Sequence, residues 1–324
     1  MTGNIAVLSS YKTNFGYRTD KRAGMSYSQH TIKKSRSDRF FYGLVYFVLG
    51  LLCITILYPL IFVLSSSFSS TKAVTEGRVY LWPVEFSLAG YNAVFAQKDI
   101  FIGFRNSFMY MFLGTVVNVS MTLVAAYPLS RDDTPMRGMF MKLFTFTMFF
   151  SGGMIPTYIV VKNTGLINTI FAMIIPGAIS VWNLVITRTF MQTGVPHELL
   201  EASQIDGCSD IRYFFAILLP LSQSVIAVIS LYYAVGHWNS YFDALMYLDN
   251  RALYPLQIFL REVLILNSIE NDIIYDEELA EAKQGLADLL KYSLVIVSVA
   301  PMLILYPFVQ KFFVKGVMIG SLKG

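Results

Sequence analysis

The segment Glu201-Ala202-Ser203-Gln204-Ile205-Asp206-Gly207-Cys208 lies between two long apolar stretches, and Phe214, Ile217 and Pro220 follow it. The pair Asp206-Gly207 is typical of a turn, because glycine adopts a positive φ without steric cost. A charged turn of this kind belongs in water, whereas both flanking stretches are apolar enough for lipid. The sequence therefore predicts a short polar connection between two membrane-spanning helices.

A short helix is predicted within this connection. Gly194 can end the preceding helix, and Pro196 suits a first helical turn, where its missing amide donor costs nothing. We expect the helix to run from residue 197 to residue 205, followed by the turn at Gly207. Glu198 and Glu201 would give the helix a polar side, and its apolar stripe would consist of Leu199, Leu200, Ala202 and Ile205.

The composition places most of the chain in a membrane. Of its 324 residues, 55% are hydrophobic and only 14% are charged, and the mean hydropathy is +0.54. A helix needs about 20 mostly apolar residues to cross a hydrocarbon core roughly 30 Å thick. Six stretches meet this need, and they predict an all-α, polytopic integral membrane protein. The predicted spans cover residues 41–64, 104–129, 139–161, 167–191, 218–238 and 289–314.

Two features refine the third and fourth predicted spans. The breaker sequence from Lys162 to Gly165 separates them and predicts a turn, so that the two spans should form a helical hairpin. Ser151-Gly152-Gly153 and Pro156 are expected to break or thin the third helix.

The basic residues predict the orientation. Residues 1–40 form a basic tail, and by the positive-inside rule this tail is cytoplasmic. With six spans, the C-terminus and a loop at about residues 194–218 fall on the same side of the membrane. The transmembrane domain then covers residues 41–324, and the tail can also contact anionic lipid. The basic side chains of the tail are Lys12, Arg18, Lys21, Arg22, Lys33, Lys34, Arg36 and Arg39.

Several classes of function find no support in the residues. The net charge of +4 reflects the basic residues beside the spans, so we expect no nucleic-acid partner. Cys53 and Cys208 lack metal-binding spacing, and we predict neither a metal site nor catalytic residues. The chain also lacks a glycine-rich phosphate loop ending in Gly-Lys-Ser/Thr, so that no cofactor is expected in this chain.

The sequence resembles the permease subunits of ABC importers. Their cytoplasmic motif reads Glu-Ala-Ala, two variable residues and Asp-Gly-Ala, with a Phe and a Pro at the spacing found here; Ser203 and Cys208 replace two of its alanines. The C-terminal features are similar to carbohydrate importers related to the maltose permeases, and most similar to the branch for complex oligosaccharides and uronic-acid sugars. These features are Trp238-Asn239, Pro301, Tyr306-Pro307-Phe308 and residues 313–324.

The resemblance, which covers residues 41–324, implies a working assembly. It implies a type I importer fold in a bacterial inner membrane, a second homologous permease, an extracytoplasmic sugar-binding protein, and an ATPase dimer that binds ATP and Mg. Residues 194–218 would be the coupling loop, which contacts the ATPase. The residues implied in this contact or in the shape of the loop are Leu199, Glu201, Ala202, Ser203, Asp206 and Gly207.

A cluster of aromatic and polar residues is the candidate sugar pathway, because sugars stack on aromatic rings and bond to amides and carboxylates. An aromatic belt at the membrane surface is the alternative interpretation. Asn118, in the middle of a span, is expected to bond to another helix. The candidate pathway residues are Tyr232, Tyr233, Trp238, Asn239, Tyr241 and Asp243.

The favoured function is therefore ATP-driven import of an oligosaccharide, either neutral or an acidic uronide such as an alginate or pectin fragment. The alternative is a secondary sugar transporter driven by an ion gradient. Such a transporter should show charges within its spans and two related halves. The chain has few charges in its spans and no clear half-repeat. A membrane-embedded enzyme would need convergent titratable groups, which the sequence does not show.

Overall fold

The computed structural model describes residues 36–269 and 277–321, and every regular element in those ranges is a helix. The predicted basic tail, residues 1–40, therefore lies largely outside the described residues. Short 3-10 helices occur at Ile170–Met173 and Arg251–Leu253, and a π-helix at Phe214–Leu218. The α-helices are α1 (Arg36–Ser67), α2 (Thr71–Thr75), α3 (Ala89–Ala96), α4 (Lys98–Ser130), α5 (Arg137–Phe149), α6 (Met154–Asn163), α7 (Val181–Thr193), α8 (Glu198–Ile205), α9 (Asp210–Tyr213), α10 (Leu219–Leu221), α11 (Gln223–Trp238), α12 (Tyr241–Tyr247), α13 (Leu256–Ile269) and α14 (Glu277–Ser321).

Three to five stretches within the described ranges are long and apolar enough to cross a membrane. Three are single helices, namely Ser37–Ser67, Lys98–Ser130 and Ala287–Pro307. Two more are pairs of helices, and each pair is bent at a short break. The predicted all-helical membrane protein is thus confirmed, whereas the count of six helices is not.

The fourth predicted span accounts for much of the difference. Within residues 167–191, the structure has a 3-10 turn, an irregular stretch and the first part of α7. At about 1.5 Å per residue, the 13 residues of α7 extend about 20 Å, less than the thickness of the hydrocarbon core. The predicted hairpin of two complete helices is therefore not seen, although the turn predicted between the two spans is present, with Gly165 at φ 71°.

The third predicted span is broken where its glycines are. Helices α5 and α6 meet at an angle of 114°, and residues 150–153 between them are not helical. Gly153 has φ 86° and ψ 177°, a conformation that is essentially restricted to glycine. The expected break at Ser151-Gly152-Gly153 is confirmed.

The fifth predicted span begins earlier than residue 218 and is not straight. Its helix starts at Asp210, widens into the π-helix, and bends by 81° before α11. Pro220 lies beside the bend; a proline lacks the amide donor and crowds the preceding turn, which accounts for a kink here. Hydrophobic periodicity carries no signal for such a bend.

The chain divides into two units, residues 1–55 and 56–324. The described part of the first unit is the beginning of α1, an apolar helix. In the second unit, α4 packs against α7, α11 and α13. A core cluster that includes Leu123, Leu184 and Ile229 joins α4, α7 and α11. This packing places α4 at the centre of the described helices of the second unit.

Candidate functional site

The predicted coupling loop, residues 194–218, forms the local structure that its sequence predicts. Helix α7 ends at Thr193 with Gly194 as its C-cap, and α8 begins at Glu198, one residue later than predicted. Gly207 has φ 71°, which confirms the turn. The Cys208 amide donates to the Ser203 carbonyl over 2.9 Å, so that the turn closes back onto α8.

Helix α8 has one face against the protein and another in solvent. Leu200 packs on the core cluster, and Ser203 is buried, with its hydroxyl donating to the Leu200 carbonyl over 2.7 Å. These two residues lie on the same face because they are three positions apart. Ile205, by contrast, is 86% exposed. The predicted apolar stripe is therefore divided between the two faces.

The outward face combines apolar and acidic side chains. Leu199 is 40% exposed, and Glu201, Ala202, Asp206 and Gly207 are also exposed. His197 Nδ1 lies 3.2 Å from Glu201 Oε1, within hydrogen-bond distance. Because Ile205 is solvent-exposed beside these carboxylates, the face is suited to contact another protein.

A cavity of about 600 Å³ lies among α4, α6, α7, α11, α12 and the segment before α7. Trp182 and Tyr232 present 58% and 48% of their surface to solvent, and both line the cavity. Aromatic faces, amides and hydroxyls are the groups on which sugars stack and bond. The polar and aromatic lining consists of Asn118, Thr157, Ser180, Trp182, Asn183, Tyr232, Tyr233, His237, Ser240, Asp243 and Tyr247.

Buried hydrogen bonds fix the wall of the cavity. Tyr233 Oη accepts from the Ser180 amide over 3.0 Å and shares a bond of 2.7 Å with the Thr122 hydroxyl. Asn118 Nδ2 donates to His237 Nε2 over 3.1 Å, as expected for a polar residue in mid-span. Asn118 Oδ1 is buried without a hydrogen-bond partner among the described residues. It is therefore a free acceptor beside the cavity.

The structure separates the six predicted pathway residues. Tyr232, Tyr233 and Asp243 line the cavity. Trp238 is buried in the core, where its indole nitrogen donates to the Ser298 carbonyl over 3.0 Å.

The last two predicted residues lie elsewhere. Asn239 caps α11, with its side-chain amide donating to the Val235 carbonyl, and Tyr241 lines a separate groove beside α13. Sequence reasoning missed Trp182 and His237 as cavity residues, because they belong to different helices whose packing the sequence alone does not give. Within the described ranges, no group of three metal-binding side chains occurs.

Comparison with known proteins identifies the family. The chain is 39% identical to the polygalacturonan/rhamnogalacturonan transport system permease protein YtcP of Bacillus subtilis over 288 residues, which are 89% of this chain and 99% of the relative. It also superposes on one chain of a bacterial ABC transporter involved in the import of the acidic polysaccharide alginate. That match has a TM-score of 0.78 and 31% identity, and it covers 86% of this chain and 98% of the other.

The chain belongs to the permease subunits of carbohydrate ABC importers. This permease is also 38% identical to the protein LplC of Bacillus subtilis, over 91% of this chain and 99% of LplC. A more distant relative, at 25% identity over 82% of this chain and 91% of its own length, is the arabinooligosaccharides transport system permease protein AraQ of Halalkalibacterium halodurans. No family model matches the chain. The family predicted from the 201–208 segment is confirmed, and the comparisons give no support to the ion-gradient alternative.

Proposed function

We propose that this permease forms half of the pathway through which a uronic-acid-containing oligosaccharide crosses a bacterial inner membrane. A second permease would form the other half, an extracytoplasmic binding protein would deliver the sugar, and an ATPase dimer would bind ATP and Mg. The observation that carries the proposal is the cavity of about 600 Å³ with its aromatic and polar wall. A cavity of this size suits a few sugar units.

The acidic class of cargo is supported by two relatives. YtcP carries the name of a polygalacturonan permease, and the structurally similar transporter is involved in the import of an acidic polysaccharide. Among the described residues that line the cavity, Asp243 is the one carboxylate, and none is a lysine or an arginine. We infer that this subunit binds the hydroxyls and apolar faces of the sugar, while cations of the second permease face its carboxylates.

The outward face of α8 would dock on the ATPase. Ile205 and Leu199 supply apolar area, and Glu201 and Asp206 supply charge. Ser203 would act differently, because it is buried on the inward face of α8 and its hydroxyl bonds within that helix. Gly207 would shape the turn through its positive φ.

The topology completes the proposal. Three single helices and the two bent pairs would give five crossings. Helix α7, together with the irregular segment before it, would make the sixth. The coupling loop and both chain ends would then be cytoplasmic, as the basic residues predict.

ATPase activity of the reconstituted complex tests the proposal. We expect binding protein loaded with an oligogalacturonate to stimulate ATP hydrolysis. Ile205→Glu should remove the stimulation, because burying a carboxylate in an apolar contact is costly. Ile205→Leu should keep it, since the apolar area is retained. The docking surface is wrong if Ile205→Glu assembles with the ATPase and is stimulated like the wild type.

A further inference from the structure

Arg131 lies directly after α4, and three other groups surround its side chain. The side chain is only 10% exposed. Its Nε donates to Asp133 Oδ1 over 2.8 Å, and its Nη1 donates to Tyr127 Oη over 2.8 Å. The same Nη1 also donates to the carboxylate of Asp210. A guanidinium is suited to such a junction because its donors are held in one plane.

Asp210 connects this junction to the coupling loop. It lies within the loop, where it follows the turn at Gly207 and is the first residue of α9. The preceding residue, Ser209, caps α9 by accepting from the Arg212 amide. Arg131 therefore joins the end of α4 directly to the coupling loop.

Aromatic packing supports the same junction. The Tyr127 ring lies 5.3 Å from the Phe214 ring and 6.4 Å from the Tyr213 ring. The guanidinium carbon of Arg131 is 5.7 Å from the centre of the Tyr127 ring. Hydrogen bonds from Arg131 lower the pKa of Asp133, so that this carboxylate stays charged beside the guanidinium.

The polar link matters because the packing beside it is incomplete. A cavity of about 90 Å³ is lined by Tyr127 and Arg131 at the end of α4 and by Val195, Pro196 and Leu200 of the coupling loop. The loop could move into such a space without moving α4, unless a direct contact transmits the movement. Arg131–Asp210 is a direct contact.

Helix α4 leads from this junction to the sugar cavity. It is continuous from Lys98 to Ser130. On the same helix, Asn118 lines the cavity, and Thr122 bonds to Tyr233. A continuous helix moves largely as one body, so that a shift at Arg131 reaches the cavity wall.

We propose that Arg131 is a positioning residue for energy coupling, which ties the coupling loop to α4 and so transmits ATPase movement to the sugar cavity. The inference rests on the proposed function of the coupling loop and the cavity. Asp210 is its main partner across the junction, and Tyr127 and Asp133 hold the guanidinium in place.

Labelling of a cysteine in the cavity tests this role without depending on the identity of the sugar. Trp182→Cys would be introduced into the assembled complex with Cys53→Ala and Cys208→Ala, and its rate of maleimide labelling measured with and without ATP. We expect ATP to change the rate in this background. Arg131→Gln should reduce the ATP-dependent change about tenfold, as expected for loss of a hydrogen-bonded ionic link. The double variant Arg131→Asp with Asp210→Arg, which exchanges the two charges, should restore part of the ATP-dependent change in labelling rate.

The matched control is Arg78→Gln, because Arg78 also bonds to two carboxylates, Glu76 and Glu85, but lies outside this junction. It should keep the full response to ATP. An unchanged response in Arg131→Gln would overturn the proposal. If Arg131→Gln does not assemble, Asp210→Asn provides the test, since the Asp210 side chain is 65% exposed. A full response to ATP in Asp210→Asn would also overturn the proposal. A complex that keeps Trp182 and hydrolyses ATP but takes up no uronide would contradict the proposed cargo and leave the role of Arg131 standing.

Discussion

The hydroxyls of Thr122 and Tyr233 share a hydrogen bond of 2.7 Å between α4 and α11, and both side chains are buried. Tyr233 also accepts from the Ser180 amide, so that one phenol joins α4, α11 and the start of α7. This junction lies at the wall of the cavity, because Ser180 and Tyr233 both line it.

Loss of the Tyr233 hydroxyl should therefore cost more than loss of the Thr122 hydroxyl. Tyr233→Phe removes a partner from the buried Thr122 hydroxyl and from the half-buried Ser180 amide, and we expect the complex to lose about 1–3 kcal/mol of stability. Thr122→Val should cost about 0.6–1.7 kcal/mol, the range for polar bonds between membrane helices. Unfolding of the purified complex in detergent measures both. Equal effects of the two changes would show that the Ser180 bond contributes nothing.

Gly114 sets the distance between α4 and α11. A β-carbon added at this position would overlap the ring of His237, so Gly114→Ala must displace His237 or separate the helices. We expect a loss of about 1–3 kcal/mol from overpacking. Gly236→Ala is the control, since a β-carbon there meets no atom within 4 Å. The same unfolding experiment compares them, and a neutral Gly114→Ala would contradict this close packing.

Gly153 should be more sensitive to substitution than its neighbour Gly152. Gly153 has φ 86° and ψ 177°, and an alanine in this conformation is strained by about 1–3 kcal/mol. The strain comes from the backbone alone, because an added β-carbon meets no atom within 4 Å. Gly152→Ala should be mild, because a β-carbon there meets only Pro156, at 3.6 Å. Thermal stability of the two variants measures the difference. Equal stability would mean that the break between α5 and α6 does not require this conformation.

Asp243 should hinder an acidic cargo. A carboxylate in a hydrated cavity repels another at 4 Å by about 1 kcal/mol, which is roughly a fivefold effect on an equilibrium constant. Asp243→Asn should therefore lower the KM for uptake of an oligogalacturonate by about that factor. Ser240→Ala, also in the cavity lining, controls for a general change of the wall. A higher KM in Asp243→Asn would mean that Asp243 binds the sugar directly.

The sequence predicts best what depends on local chemistry. Gly207, with its positive φ, the cap at Gly194 and the break at Gly153 follow from conformational preferences that are visible in the chain. The fold family follows from the 201–208 segment. In each case the signal and the structure lie within a few neighbouring residues.

Features that depend on packing could not be predicted in this way. Trp238 and Tyr232 are close in sequence and equally aromatic, yet Trp238 is 1% exposed in the core whereas Tyr232 faces the cavity. Their positions are decided by which side of α11 meets α4 and α14. Ile205 and Leu200 are separated in the same way, by the side of α8 that meets the core. Hydrophobicity alone does not distinguish these faces.

Uptake of labelled oligosaccharide into vesicles that contain the complete transporter tests the central claim most directly. We expect ATP inside the vesicles and loaded binding protein outside to drive accumulation of an oligogalacturonate in preference to a neutral oligosaccharide of the same length, with no requirement for an ion gradient. Accumulation that needs an ion gradient and not ATP would contradict the account of coupling. ATP-driven uptake of the neutral sugar alone would contradict the proposed cargo.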